Sequence, residues 1–188
     1  MFFLARRLRK AGLRPFLFGY HPALESFAAI SARLARRIES VGNKPWVAVG
    51  HSLGGLLLRN AMASVDPALR PLGLVTMGTP HHSPRLARNM KTRWYFRWYD
   101  GDCGQMLATP ERMEQIPLPS VPTKAIVGTS GPRGRFSPFG DEENDGVVTT
   151  SEANYPDADL LFLPALHTFL MNHPAVVEPI LQFANKAE

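Results

Sequence analysis

Apolar and polar positions in the first forty residues repeat with periods that predict a helix, a strand and a second helix. Residues 2–11 and 24–41 carry apolar side chains at steps of three and four, which is the spacing of amphipathic helices. Residues 15–20 (PFLFGY) form a short apolar and aromatic run of the kind found in strands. We therefore predict a strand between two helices at the start of the sequence.

The pattern of a strand followed by a helix then recurs. A β-prone run at residues 46–49 is followed, after only three residues, by a Leu- and Ala-rich helix at residues 53–63. Three more strands and a last helix are predicted at residues 72–77, 123–127, 159–163 and 174–185. Strands that alternate with helices indicate an α/β fold with a mainly parallel sheet, here of about five strands flanked by helices.

The stretch from Pro80 to Pro122 breaks this pattern, because it has over forty residues and no clear strand. Segments of that length are usually functional insertions. We predict one domain over residues 1–188, in which residues 84–120 form a helical and irregular cap or lid. Its aromatic residues fit an acyl-binding lid, a peripheral contact with a membrane surface or a plain packed cap, and the sequence leaves these alternatives open.

The composition is that of a folded globular domain, since 45% of the 188 residues are apolar and 20% are charged. Cys103 is the one cysteine, so no disulfide can form within the chain. No apolar run reaches the roughly 18 to 20 residues of a membrane span, and the opening residues do not follow the pattern of a secretory signal. We expect a cytoplasmic protein.

The net charge is +5, with basic residues concentrated in the first forty positions and acidic residues between Asp141 and Asp159. A solvated helix face gives the same basic pattern as a nucleic-acid site. We therefore expect no nucleic-acid partner.

The most informative segment is Gly50-His51-Ser52-Leu53-Gly54, a G-x-S-x-G between a predicted strand and a predicted helix. A turn sharp enough to lift a serine hydroxyl above the sheet strains the serine backbone, and we expect glycine two residues to either side because larger side chains would collide with the backbone. Ser52 is thus a candidate nucleophile. The amide of Leu53, at the start of the helix, is a candidate oxyanion-hole donor.

A serine nucleophile needs a base, and the base needs a carboxylate to orient it. His167 lies four residues past the last predicted strand, where its side chain can reach the same sheet edge as Ser52. His173 is better explained by entry into the final helix. Asp145, in a turn between the last two strands, is the first candidate for the acid. The residues alone also leave open Asp141, Asp157 and Asp159.

Four segments resemble the bacterial lipase and esterase branch of the α/β-hydrolases: GHSLGG, VTMGTPHHS, NDGVVTTSEAN and LHTFLMNHPAVVEPILQF. The resemblance covers residues 4–183 and keeps the order Ser, Asp, His. It implies that Ser52 is the nucleophile, Asp145 the acid and His167 the base of an enzyme that cleaves carboxylic esters through an acyl-enzyme intermediate. It also implies a small-molecule ester or lipid as the substrate, and no cofactor.

The resemblance places further residues beside the pocket. The segment Gly78-Thr79-Pro80-His81-His82 is expected to shape the pocket, not to do chemistry. The expected substrate contacts are His51, Thr79, His81, Trp94 and Trp98. No metal is expected at the two adjacent histidines, because no third ligand lies at a standard spacing.

One departure from the family's pattern concerns the start of the sequence. In the family, a strand and a His-Gly type loop precede the first helix, and that loop donates the second oxyanion amide, whereas this sequence begins inside the helix. We therefore expect an N-terminally truncated core without one internal strand. Two hypotheses follow: a serine hydrolase whose natural chain starts further upstream, and a catalytically weak hydrolase-like fragment that binds a lipid or acyl ligand, or a protein along an open strand edge. The joint presence of Ser52, Asp145 and His167 favours the hydrolase.

Overall fold

The computed structural model describes residues 1–90, 94–156 and 158–187, and for residues 94–100 and 187 it describes the backbone alone. At its centre is a parallel sheet of four strands, β1 (Ala48–His51), β2 (Leu74–Met77), β3 (Thr123–Gly128) and β4 (Asp159–Leu163). The strands lie side by side in sequence order, and the register places Ala48 opposite Leu74, Leu74 opposite Thr123 and Lys124 opposite Asp159. The expected α/β class with a parallel sheet is confirmed.

Helices surround this sheet, and the described residues contain nine of them. They are α1 (Phe2–Lys10), α2 (Phe27–Val41), α3 (Leu53–Ala63), α4 (Arg85–Met90), α5 (Trp94–Leu107), α6 (Pro110–Glu114), α7 (Thr150–Ala153), α8 (His167–Leu170) and α9 (Val177–Ala184). Within the described residues, none of these helices has the length and apolar character needed to cross a membrane.

Alternate residues of β2 enter two different apolar cores, one on each face of the sheet. Leu74 belongs to a core built with α2 and α3, whereas Val75 and Met77 belong to a core built with α1 and α9. Successive side chains of a strand point to opposite faces. The two pairs of helices therefore cover opposite faces, and all four residues of β2 are buried.

The strand predicted at residues 15–20 is wrong, because in the described part of the chain this segment pairs with no strand. A strand forms only where a neighbour completes its backbone hydrogen bonds, and here side chains hold the segment instead. The guanidinium carbon of Arg33, on α2, lies 4.6 Å from the centroid of the Phe18 ring, and Arg33 Nη1 donates to the carbonyl of Gly19 over 2.9 Å. The segment is fastened to α2, so the described sheet has four strands and not about five.

Two predicted helices begin later than their apolar patterns indicate. α2 starts at Phe27 instead of at residue 24, because Ser26 Oγ accepts the amide of Ala29 over 3.1 Å and caps the helix. The last helical stretch opens as a 3-10 turn at Pro174–Val176, and α9 follows it directly.

The predicted cap at residues 84–120 contains α4, α5 and α6 and, within its described residues, no strand. α5 is interrupted at Gly101, whose φ of 52° brings the backbone against the loop before α2: a Cβ there would lie 3.0 Å from the carbonyl oxygens of Pro22 and Ala23. The side chains of Trp94 and Trp98 lie outside the described residues, so their substrate contacts stay predictions.

Candidate active site

Ser52 occupies the sharp turn between β1 and α3. Its φ is 52° and its ψ is −125°, and it is the one residue other than glycine with positive φ in the described chain. Such dihedrals are strained for a residue that has a Cβ. The amide of Ser52 donates to the carbonyl of Met77 over 2.8 Å, and its carbonyl accepts the Thr79 hydroxyl over 2.9 Å. These hydrogen bonds hold the strained serine at the carboxyl end of the sheet.

Two glycines allow the turn to be this tight, and one of them is not the expected one. A Cβ on Gly50 would lie 2.6 Å from the Cα of Gly55, and a Cβ on Gly55 would overlap the side chain of Thr79, 2.7 Å from its Cγ2. A Cβ on Gly54, in contrast, would meet only the Tyr20 hydroxyl, at 3.7 Å. The expectation of an obligatory glycine is therefore confirmed at Gly50 and wrong at Gly54. The crowded position in α3 is Gly55, one residue further along the helix.

The carboxylate of Asp145 and the ring of His167 form a buried pair. His167 Nδ1 donates to Asp145 Oδ2 over 2.7 Å. The other carboxylate oxygen accepts the amides of Val147 and Val148, at 2.9 Å and 2.8 Å. Because the carboxylate acts as acceptor, the imidazole proton sits on Nδ1 and Nε2 is left to accept a proton.

None of the other described candidates for acid and base is buried with the Asp145–His167 pair. Asp141 is exposed, Asp159 forms a surface ion pair with a lysine over 2.6 Å, and Asp157 lies outside the described residues. His173 Nδ1 accepts an amide of the 3-10 turn that follows it, as its position before that turn predicts.

Gly78, at the end of β2, joins the serine to the Asp-His pair. A Cβ on Gly78 would lie 2.8 Å from His167 Nδ1 and 2.9 Å from Asp145 Oδ2, so the pair rests directly on this glycine. The carbonyl of Met77, just before Gly78, accepts the amide of Ser52. Ser52 and the Asp145–His167 pair therefore both lie at the end of β2, at the carboxyl edge of the sheet. In the described part of the chain no hydrogen bond joins Ser52 Oγ to the His167 ring, and such bonds are often loose without substrate.

His51, an expected substrate contact, lies against the candidate base His167. His51 Nε2 lies 2.9 Å from the carbonyl oxygen of His167, and the two ring centroids are 4.7 Å apart. A carbonyl only accepts, so the Nε2 of His51 carries the proton. Burial lowers the pKa of His51 to about 4, so the ring is neutral near neutral pH. His51 therefore fixes the backbone of His167 without adding a positive charge.

His81, also an expected substrate contact, is buried and pairs with Arg59 of α3. Its Nδ1 accepts from Arg59 Nη1 over 2.9 Å, and its ring centroid lies 4.1 Å from that of Tyr155. Burial, and then the charge of Arg59, lowers the pKa of His81 to about 3. Arg59 also donates to the carbonyls of Ile116 and Pro117, at the end of the cap segment. These hydrogen bonds of Arg59 were not predicted. Their one signal in the sequence is an arginine within the apolar stretch of α3.

The Leu53 amide lies at the N-terminal end of α3, directly after Ser52. Leu53 is the first residue of α3, and its N–H finds no acceptor among the described residues. The first amides of a helix have no partner within it and carry partial positive charge. An oxygen atom that develops negative charge next to Ser52 would therefore meet this donor.

The sequence matches the α/β-hydrolase family over residues 3–178, and the chain belongs to that family. No curated protein matches it at the level of sequence. Its fold is similar to that of the mature lipase BlEst2 of Bacillus licheniformis, with a TM-score of 0.60, 21% identity, and coverage of 84% of this chain and 74% of the lipase.

Two further solved structures share the fold. The metagenomic carboxyl esterase MGS0156 gives a TM-score of 0.66 at 18% identity, over 90% of this chain and 65% of the esterase. The type II thioesterase BorB, from the borrelidin biosynthetic cluster, gives a TM-score of 0.55 at 17% identity, over 86% of this chain and 72% of the thioesterase. At these identities the likeness is one of fold, and together with the family it supports a hydrolase.

Proposed function

We propose that this chain is a serine hydrolase that cleaves carboxylic esters through an acyl-enzyme intermediate on Ser52, with His167 as the general base and Asp145 as the orienting acid. The observation that carries the proposal is the strained Ser52 beside the buried Asp145–His167 pair, with Gly78 between them. A binding module has no need of a carboxylate-oriented imidazole next to a strained serine. The proposed substrate is a small-molecule ester or lipid.

In the acylation half of the reaction, Ser52 Oγ attacks the carbonyl carbon of the ester and passes its proton to His167 Nε2. The π electrons of the carbonyl move onto its oxygen, and the Leu53 amide stabilises the resulting negative charge. The tetrahedral intermediate collapses when the bond to the alcohol oxygen breaks. His167 then returns the proton to the departing alcohol.

In the deacylation half, a water molecule takes the place of the alcohol. It gives a proton to His167 Nε2 as it attacks the acyl carbon, and the bond between that carbon and Ser52 Oγ breaks. The carboxylic acid leaves and the serine recovers its proton from His167. Asp145 holds the ring in the required tautomer throughout, because its second oxygen is fixed by two backbone amides.

The experiment is to compare the wild-type chain with Ser52→Ala, and with Ser40→Ala as a matched control. Ser40 is exposed on α2 and bonds only within that helix. We expect the wild type to hydrolyse p-nitrophenyl butyrate and to take up one fluorophosphonate label, located at Ser52 by peptide mass spectrometry. Ser52→Ala should lose the label and about 10⁴-fold or more in kcat, as loss of a serine nucleophile does.

Ser40→Ala should behave as the wild type. Ester hydrolysis that survives in Ser52→Ala, or a label on another residue, would show that the chemistry lies elsewhere. A wild-type chain that binds the ester without hydrolysing it or reacting with the fluorophosphonate would favour the binding-module hypothesis.

A further inference from the structure

The side chain of Tyr20 places its hydroxyl beside the first turn of α3. The oxygen lies 3.7 Å from the position of a Cβ on Gly54, and it is the one described atom beyond Gly54, its chain neighbours and the nearby helix backbone that comes within 4 Å of that position. The Cα–Cβ bonds of a helix tilt toward its N-terminus. The hydroxyl therefore lies beside the turn of α3 that also carries the amide of Leu53, one residue before Gly54.

This hydroxyl is available as a donor. Tyr20 makes no hydrogen bond through its side chain within the described residues. Burial raises the pKa of Tyr20 above its ordinary value, and the neighbouring Cys103 adds to the rise. The oxygen thus keeps its proton at neutral pH and beyond. Tyr20 is half-buried, and a tyrosine hydroxyl without a partner in the described fold, beside a candidate catalytic serine, is a position for a ligand atom.

The backbone that carries Tyr20 is held in place. Its ring packs against the core beneath α2 and α3, 6.4 Å from the Phe18 ring. The carbonyl of the preceding residue, Gly19, accepts from Arg33, and Arg33 is itself fixed by an ion pair with Glu25 over 2.7 Å. The hydroxyl is therefore presented from a fixed segment, as a preorganised donor must be.

We propose that Tyr20 is a catalytic residue of this hydrolase, whose hydroxyl is the second donor, beside the Leu53 amide, to the oxyanion formed from the substrate carbonyl. This inference rests on the proposed function. An oxyanion hole for acyl transfer uses more than one donor, and Leu53 supplies one. Tyr20 donates a hydrogen bond and transfers no proton, so the movement of electrons and protons between Ser52, His167 and substrate is unchanged.

The test is Tyr20→Phe, which removes one oxygen atom and keeps the ring in the core. Because the lost hydrogen bond forms with the transition state, we expect kcat for p-nitrophenyl butyrate to fall about 10²-fold. KM should change by less than about threefold, since the substrate carbonyl carries little charge before attack. The midpoint of urea unfolding should stay at the wild-type value, because the hydroxyl bonds to nothing in the described fold.

Phe18→Leu is the matched control, since Phe18 lies in the same segment and packs on the same core but carries no donor. We expect its kcat to remain within about threefold of the wild-type value. A Tyr20→Phe enzyme with wild-type kcat would overturn the proposal. So would equal losses in Tyr20→Phe and Phe18→Leu, because the effect would then come from packing of the segment.

The fluorophosphonate label on Ser52 separates this inference from the function on which it rests. Complete labelling of Ser52 at long times in both wild type and Tyr20→Phe, with the loss confined to kcat, supports both. Complete labelling with no loss in Tyr20→Phe overturns the role of Tyr20 alone. A wild-type chain that takes no label at Ser52 overturns both.

Discussion

The ring of His167 is oriented by Asp145, whose side chain has no exposed surface and whose two carboxylate oxygens are both used. One oxygen lies 2.7 Å from His167 Nδ1, and the other accepts two amides of the loop that follows Asp145. The backbone repeats the connection, since the amide of His167 donates to the carbonyl of Asp145 over 2.8 Å. Side-chain and backbone bonds therefore fix the same pair of residues, and the orientation of the imidazole depends on the loop after β3.

Asp145→Asn should keep this loop and spoil the orientation of the base. The amide oxygen of asparagine can still accept the amides of Val147 and Val148, which directs its NH2 group toward His167 Nδ1. Since that group only donates, the ring must move its proton to Nε2 and can no longer take the proton of Ser52. We expect kcat for p-nitrophenyl butyrate to fall about 10⁴-fold, as measured by steady-state kinetics.

Asp141→Asn is the control for this change, because Asp141 lies in the same acidic stretch and is exposed. It should leave kcat within about twofold of the wild type. If Asp145→Asn kept most of the activity, or if Asp141→Asn lost as much, Asp145 would not be the orienting acid.

Local features of this fold were predictable from the sequence, and features that depend on distant partners were not. The turn at Ser52 follows from a strand, a glycine pattern and a helix within about fifteen residues, and the four observed strands appear as apolar runs. The run at residues 15–20 has the same local signal, yet it forms no strand, because a strand requires a neighbour and the sequence does not show whether one is present. Instead, Arg33 holds it to α2.

The candidate site shows the same division. Ser52 and His167 could be chosen from their places after predicted strands, since parallel strands bring their carboxyl ends to one edge. For the acid, the residues alone left Asp141, Asp157 and Asp159 open beside Asp145, and the family resemblance selected Asp145. The partners of His51 and His81 could not be predicted, because the His167 carbonyl and the Arg59 side chain meet them across long sequence separations. The crowded glycine after Ser52 could not be predicted for the same reason. Thr79, on another segment, makes Gly55 and not Gly54 the crowded position.

Gly55→Ala should destabilise the fold, whereas Gly54→Ala should not. A methyl group on Gly55 overlaps Thr79, and Thr79 has little freedom to withdraw because it is β-branched and its hydroxyl is bonded to the Ser52 carbonyl. Overpacking of this kind costs about 1 to 3 kcal/mol. A methyl group on Gly54 makes an ordinary contact at 3.7 Å, and alanine favours the helix.

Urea unfolding at pH 7.5 measures the two variants side by side. We expect Gly54→Ala to remain within about 1 kcal/mol of the wild type, and Gly55→Ala to unfold at lower urea with the same slope. Equal stabilities for the two variants would contradict the close approach of α3 to Thr79.

Two neutral histidines, the half-buried His51 and the buried His81, should make the fold sensitive to mild acid. Burial lowers the pKa of His51 to about 4 and that of His81 to about 3, from an ordinary value of 6.5. Between these limits the unfolded chain binds protons that the folded chain does not. The stability that comes from the neutral rings is therefore complete above pH 6.5 and is lost as the pH falls toward 4 for His51 and toward 3 for His81.

His51→Gln tests this dependence, because a glutamine amide can still donate to the carbonyl of His167 but does not titrate. Over the window from pH 6.5 to about 4, each histidine contributes a slope of up to about 1.4 kcal/mol per pH unit to the free energy of unfolding. Urea unfolding at half-unit steps should therefore show the free energy of unfolding of the wild type falling relative to that of His51→Gln as the pH falls, whatever the difference between the two proteins at pH 7. His81→Gln should reduce the pH dependence of the free energy of unfolding over the same range. Its effect should be independent of His51→Gln, because the His81 ring contacts Arg59 and Tyr155 and not His51. Wild-type and His51→Gln curves that run parallel from pH 7 to 4 would show that His51 binds its proton over the same pH range in the folded and unfolded chains, and the lowered pKa would be wrong.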